Sequence, residues 1–236
     1  MFILTNEYQK KVNEVKNVSD IIQDALIDDI YNGKYTPGES ITQEGIAEKF
    51  GVSRFPVRDA IQKIIEQGLL KKKPRGGVIV NVFSKTYIEN LYDTRKILEI
   101  ASVKMVIKKI SKEYIIKLKK INEEYKKALM KDDIKKAGEL NDSFHESMIN
   151  KKDLNNDFLY ELIQIVRRRI KHPRGIARLQ KFYLSQRKKY SFLRHQEYIK
   201  YLSDGNEQGL VKAVSDVIED AKKETIIALD SNNWLR

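Results

Sequence analysis

A helix that reads base edges in the major groove of DNA needs a small residue at its start, hydrogen-bond donors on one face and apolar residues on the other. Ser53-Arg54-Phe55-Pro56-Val57-Arg58 meets that requirement. Arg54, Arg58 and Gln62 recur at four-residue steps, opposite a stripe of Val57, Ile61, Ile64 and Ile65. An arginine fork matches O6 and N7 of guanine, and Ser53 with the first backbone amides of the helix can hold a phosphate. Lys71-Lys72-Lys73 and Pro74-Arg75-Gly76-Gly77 follow, basic groups for phosphates beside two glycines that let backbone approach a duplex closely. The candidate DNA contacts are therefore Ser53, Arg54, Arg58, Gln62, Lys73, Arg75, Gly76 and Gly77.

A second set of residues lies farther along the chain and points inward. Asn141 and His145 fall on the helical stripe of Leu140, Phe144 and Met148, and His195 on that of Ile199 and Leu202. Arg95 falls on the stripe of Leu91, Leu98, Ser102 and Met105, where an unpaired charge would be expensive. It belongs either to a buried ion pair or to a fork for an anionic ligand. Arg95, Asn141, His145 and His195 are the candidate lining of an effector cavity. An enzyme would have to use Ser143, His145 and His195, or a metal. No nucleophile elbow, phosphate loop, dinucleotide fingerprint or metalloprotease spacing is present, and 3 histidines with 0 cysteines leave few catalytic constellations, so no enzymatic activity is expected.

The elements that position the first set are legible from spacing and breakers. Val18, Ile21, Ile22, Ala25, Leu26 and Ile30 mark an amphipathic helix stopped by Gly33. Pro37-Gly38 makes a turn, Thr42 caps a short helix from about Gln43 to Phe50 that Gly45 weakens, and Gly51-Val52 breaks it. Ser53 caps the third helix, with Pro56 in its tolerated first turn and an end near Gly68. Leu69 to Lys73 and Val78 to Val82 then read as a β-hairpin, the wing of a winged helix-turn-helix.

From Phe83 onward glycine and proline are sparse and helical periodicity dominates, which predicts an all-α antiparallel bundle. Its helices are expected over about 85–109, 112–130, 134–150, 155–171, 175–189, 191–202 and 207–231, with His172-Pro173-Arg174-Gly175 as a break and Arg167 to Lys171 and Arg187 to Lys189 as solvated charged faces. The fold class is mainly α. Residues 1–16 form an unassigned extension, 17–82 the DNA-binding domain with its helix-turn-helix at about 43–62, and 83–236 a helical effector-binding and dimerisation domain.

Composition narrows the alternatives. A hydrophobic fraction of 41% supports a folded chain despite 33% charged residues. The absence of cysteine rules out disulfides and thiol chemistry and suits a reducing cytoplasm. Met1 to Leu4 is too short for a signal-peptide core, and no stretch has the length of a membrane span. The net charge of +12 is poorly placed for a simple electrostatic account: residues 1–82 carry 12 basic and 11 acidic groups, and most of the excess lies beyond them. Within Ser53 to Arg75, however, seven basic residues face two acidic ones. A charge-driven, non-specific nucleic-acid binder is the competing class, and it would lack a salt-resistant preference for one operator.

The residues quoted above carry a family resemblance. Asn32 to Glu39, Ile46 to Ile61 and Gln67-Gly68-Leu69-Leu70 resemble the GntR winged-helix signature, with Gly45 standing where that family usually has a larger residue. Arg95 to Glu99, Phe144-His145, and His195 followed by Ile199 and Asp204-Gly205 resemble the FadR-type subgroup, whose helical ligand-binding domain is called FCD. The resemblance implies a homodimeric transcription regulator, commonly a repressor, on near-palindromic double-stranded operator DNA, controlled by a small-molecule effector such as an organic acid. It also implies a divalent metal in many members, held by an Asp or Asn, a His four residues later and two further histidines. Here Asn141 takes the carboxylate position, His145 and His195 are present, and Val217 stands where the third histidine would be, which leaves two imidazoles and an amide as a weak donor set.

Overall fold

The computed structural model describes residues 17–74, 76–149, 151–178 and 181–236; the extension 1–16 and Arg75 lie outside them. The chain divides into two compact units, with the division between Val82 and Phe83.

In the first unit, α1 (Val18–Tyr31) starts at Asn17, whose side chain accepts from the Ser19 amide. It buries Ile22, Leu26 and Ile30, one per turn, against α3. Val18 and Ile21 belong to the same apolar pattern but stay about half exposed, at 47% and 49%. α2 (Gln43–Phe50) begins at Thr42, whose Oγ1 accepts from the Gly45 amide at 3.1 Å. A Cβ at position 45 would lie 3.0 Å from that oxygen, so the small residue that lowers helix propensity also lets the cap close. Gly51, at φ +62°, turns the chain into α3 (Arg54–Gln67). Ser53 occupies the N-cap position of α3, but its side chain makes no capping bond, contrary to expectation. The buried stripe of α3 is Val57, Ala60, Ile61 and Ile64; Ile65 is only partly buried, because Ala60 lies closer to the axis of the face packed on α1.

The wing is a three-stranded sheet, where the sequence predicted only a hairpin. β2 (Leu70–Lys72) and β3 (Val78–Val80) pair antiparallel with Lys71 opposite Ile79, and β1 (Ser40–Ile41) adds to the other edge of β3 with Ser40 opposite Ile79. Two residues are too few to show alternation, so β1 gave no sequence signal; it is held by β3, through Val80 N–H to Glu39 O and Gly38 N–H to Val80 O, both 2.9 Å. At the wing tip Gly76 and Gly77 take φ +90° and +77°, a conformation open to glycine at little cost. Asp29, buried on α1, clamps the unit by accepting from Lys34 at 2.6 Å and from Lys49 of α2; these bonds hold its carboxyl below the ordinary range against the effect of burial.

The second unit is helical: α4 (Lys85–Val106), α5 (Lys112–Met130), α6 (Ile134–Ser147), the single turn α7 (Lys151–Leu154), α8 (Asp157–Arg178), α9 (Lys181–Ser203) and α10 (Glu207–Asp230). α4 packs against α8 and α10, α5 against α6 and α9, and α9 against α10. Ser84, Ser111 and Asp133 cap α4, α5 and α6 by accepting from the amide three residues on. The α4–α10 seam carries a buried bond between Tyr92 Oη and Thr225 Oγ1 at 2.8 Å and an ion pair from Lys222 to Asp93 at 2.7 Å. Phe83 pairs with Leu235 in a short parallel bridge, and Trp234 stacks on the Phe83 ring at 6.4 Å.

Two seams differ from the sequence expectation. α8 runs through Pro173 without a break, since Ile163, Ile170, Ile176 and Ala177 are buried on both sides of it and keep the helix docked. That packing outweighs the roughly 3 kcal/mol a proline costs inside a helix. The expected helices at 175–189 and 191–202 are replaced by α9, which begins at Lys181.

Candidate DNA-reading face and effector cavity

In the first unit α3 and the wing enclose a groove of about 440 Å³. From α3 it is lined by Phe55, Arg58 and Gln62, and from the wing by Lys73, Gly76 and Gly77. Gln62 Nε2 donates to Glu66 at 3.1 Å, and Lys73 Nζ to Ser40 Oγ at 2.8 Å, exposed bonds that water or a phosphate can replace. Arg54 lies outside this groove, 71% exposed, in an ion pair with Glu44 of α2 at 3.1 Å. So loose a pair stabilises little and leaves the guanidinium available. Ser53 is exposed at the amino end of α3, beside amides its own side chain does not occupy.

Lys72, one of the basic groups expected to meet phosphates, also lines the groove, and so do Gln43 and Phe55, which were not singled out as contacts from the sequence. Phe55 is 72% exposed, and the Arg58 guanidinium sits 5.8 Å from its ring centroid. A phenylalanine that fails to complete a helical stripe, immediately after an arginine on the reading face, is the signal that could have marked it.

In the second unit Arg95 is buried, but the centre of the α4 stripe is Tyr92, Arg95 and Glu99, with Leu91, Leu98 and Met105 at its flanks. The rotation brings Glu99 Oε1 to 2.9 Å from Arg95 Nε and 3.0 Å from Arg167 Nε. Burial pushes the Glu99 carboxyl up, but the two guanidiniums outweigh it and hold it at about 2. The ion-pair reading of Arg95 is thus realised with Glu99 one turn on in α4, and Glu99 is shared with Arg167 of α8, which sequence reasoning had assigned to a solvated face. Arg167 also donates from Nη2 to the His145 carbonyl at 3.2 Å.

His195 is fully buried, with its ring stacked on Phe144 at 3.8 Å and edge-on to His145 at 5.2 Å. Its Nδ1 lies 2.9 Å from Asn122 Oδ1, which can only accept, so Nδ1 carries the proton and Nε2 presents a lone pair. Nε2 is buried without a hydrogen-bond partner. Burial lowers His195 to about 3; it also lowers His145 well below the ordinary range, where the neighbouring His195, Arg174, Arg95 and Arg167 add to the effect. Both rings are neutral at physiological pH.

Asn141, His145 and His195 share a chamber of about 30 Å³ that Val217 also lines. Arg95 is not part of it; with His145 it lines a neighbouring cavity of about 430 Å³, whose outer wall is α8 through Gln164, Arg168, Lys171 and Arg174. His145 and Arg174 line both. Arg174, which the sequence placed in a helix break, is brought there because α8 continues past Pro173. These residues do not suit a divalent metal. The donors are two imidazoles and an amide, and among the described residues no group of three His, Asp or Glu side chains is placed to hold an ion. The guanidinium field that resists a proton on His145 resists a divalent cation more strongly.

Residues 19–80 match the family of bacterial regulatory proteins, gntR family, and residues 90–220 match the FCD domain. The HTH-type transcriptional regulator YdhC of Bacillus subtilis is 34% identical over 122 residues, 51% of this chain and 54% of YdhC. The HTH-type transcriptional repressor RspR of Escherichia coli is 27% identical over 138 residues, 58% of this chain and 60% of RspR. The chain therefore aligns with little more than half the length of these relatives. The solved structure of E. coli McbR/YncC shares the fold, with a TM-score of 0.68 at 16% identity over 92% of this chain and 99% of that one. With the winged helix matched in the first unit and the FCD domain matched across more than half the chain in the second, this protein belongs to the FadR-type subgroup of the GntR family.

Proposed function

We propose that the protein is a sequence-specific, DNA-binding transcription regulator whose operator affinity is set by a small metabolite held in the helical unit. The observation that carries this reading is the groove in which Arg58 and Gln62 of α3 stand beside Lys73, Gly76 and Gly77 of the wing. One face then offers donors for base edges and, beside them, a cation and two flat glycines for the sugar-phosphate backbone. Arg54, Arg58 and Gln62 read bases, Ser53 and the first amides of α3 hold a phosphate, and Lys73 with Arg75 follows the backbone into the adjacent groove. The protein works in the cytoplasm as a homodimer on near-palindromic double-stranded DNA, and the bound metabolite shifts the equilibrium between dimer geometries that do and do not match the two half-sites. Repression is the assigned sign, supported by the printed name of RspR. No catalysis is assigned to either unit.

The experiment is selection of genomic fragments by the purified protein at physiological salt, followed by sequencing. A shared palindrome whose binding is lost in Arg54→Ala and Arg58→Ala supports the regulator; retention of unrelated fragments would leave only charge-driven binding.

A further inference from the structure

We propose that Phe55 selects a thymine: its ring packs on the 5-methyl group of that base in the major groove, within two base pairs of the base that Arg58 contacts. The inference rests on the reading of the groove between α3 and the wing as the DNA-facing surface, and it names the base that one residue selects.

Helical phase puts the ring in place. Phe55, Arg58 and Gln62 stand three and then four residues apart on α3, so their side chains follow one another along one exposed face. Phe55 lies in the first turn of that helix, the end whose residues reach base edges in helix-turn-helix proteins. A single exposed apolar side chain carries little meaning on most surfaces. This one, 72% exposed, lines the same groove as Arg58, Gln62 and Lys73, where a duplex that docks must cover it.

Charge and chemistry select what covers the ring. Among the described residues Arg58, Lys72 and Lys73 line the groove against one carboxylate, Asp59, and Asp59 is answered by Lys63 at 2.9 Å. That surplus of cations fits a polyanion. In the major groove of a duplex the base edges offer hydrogen-bond donors and acceptors, and the one methyl group among them belongs to thymine. An apolar ring set among donors is therefore complementary to that methyl and to no other base edge. The Arg58 guanidinium sits 5.8 Å from the centroid of the ring. Successive bases on a strand are about 3.4 Å apart, so this separation spans less than two steps and ties the two contacts to nearby base pairs.

The test uses the full chain and the operator recovered by genomic selection. Arg58→Ala first locates the base that Arg58 reads, as the position whose preference relaxes. Each thymine of the operator is then replaced, one at a time, by deoxyuridine, which keeps every hydrogen-bonding group and lacks only the methyl. At one thymine within two base pairs of the located base, loss of the methyl should weaken wild-type binding about fourfold, the value of one buried methyl group. Phe55→Ala, at an exposed position, should lose about fourfold or more on the unmodified operator and keep its thermal unfolding. It should also bind thymine and deoxyuridine operators equally, which places the methyl effect on the ring. A window without thymine, indifference to deoxyuridine throughout it, or an equal deoxyuridine penalty in wild type and Phe55→Ala each overturns the proposal. Unchanged operator affinity in Phe55→Ala, as for a ring that serves a protein partner, overturns it as well. Those results leave Arg58-dependent operator selection, and with it the regulator, standing, whereas failure to select any operator removes both.

Discussion

Replacing Glu99 by glutamine keeps the shape of the side chain and removes the charge that Arg95 and Arg167 share. The consequence can be worked from the structure. The carboxyl is held at about 2 against an ordinary 4.5, with 7% of its side chain exposed. That difference corresponds to about 3 kcal/mol of stability at neutral pH, at the lower edge of the roughly 3–5 kcal/mol lost when one partner of a buried pair is removed. Trp234 makes the measurement selective: it is the chain's 1 tryptophan, buried in the helical unit, so urea unfolding followed by its fluorescence reports that unit alone. The expected result is a lower midpoint at unchanged slope, equivalent to about 3 kcal/mol. The sign with pH is fixed as well. A depressed carboxyl contributes fully above 4.5 and loses its contribution as pH falls through 2, so wild type and variant should converge over that range. A loss under about 1 kcal/mol, the value for a solvated surface pair, would refute the claim that this triad is a buried ionic centre.

Other outcomes follow from the same coordinates. Below about pH 6.5 the unfolded chain takes up a proton that His195, held near 3, refuses, so stability should drop by about 2 kcal/mol by pH 5 on its account, and His195→Phe should flatten the thermal unfolding profile there. Arg58→Ala should cost about 1–3 kcal/mol of operator affinity and relax one base position in a selection experiment, whereas Lys73→Ala should weaken all sequences alike and lower the salt slope by about 1. Gly77→Val should cost roughly 1–2 kcal/mol in thermal stability from its φ of +77° alone, because a Cβ there meets nothing within 4 Å; an unchanged melting temperature would show that the wing tip adapts.

Much of the DNA-reading unit was legible because its signals are local. The Thr42 cap, left-handed glycines and one apolar residue per turn each act within a few positions of themselves. The two-residue β1 was not, since its stability comes from β3, far away in sequence. In the helical unit the inward direction of Asn141, His145 and His195 was readable from helical phase. The role of Arg167 was not, because its partner Glu99 lies 68 residues away and a run of arginines ordinarily faces solvent. Pro173 misled for a related reason: a proline's local cost is visible in sequence, while the flanking burial of Ile170 and Ile176 that offsets it depends on tertiary packing.

The short bridge of Phe83 with Leu235 also bears on engineering. The Arg236 amide donates to the Phe83 carbonyl at 2.9 Å, and the Phe83 amide to the Trp234 carbonyl at the same distance, so the two ends of the helical unit run side by side. A body whose ends meet can be spliced into a surface loop of an unrelated host without stretching either connection. Set into a fluorescent barrel in that way, residues 83–236 would form a transplantable sensing cassette, its ligand response read as light with no promoter involved.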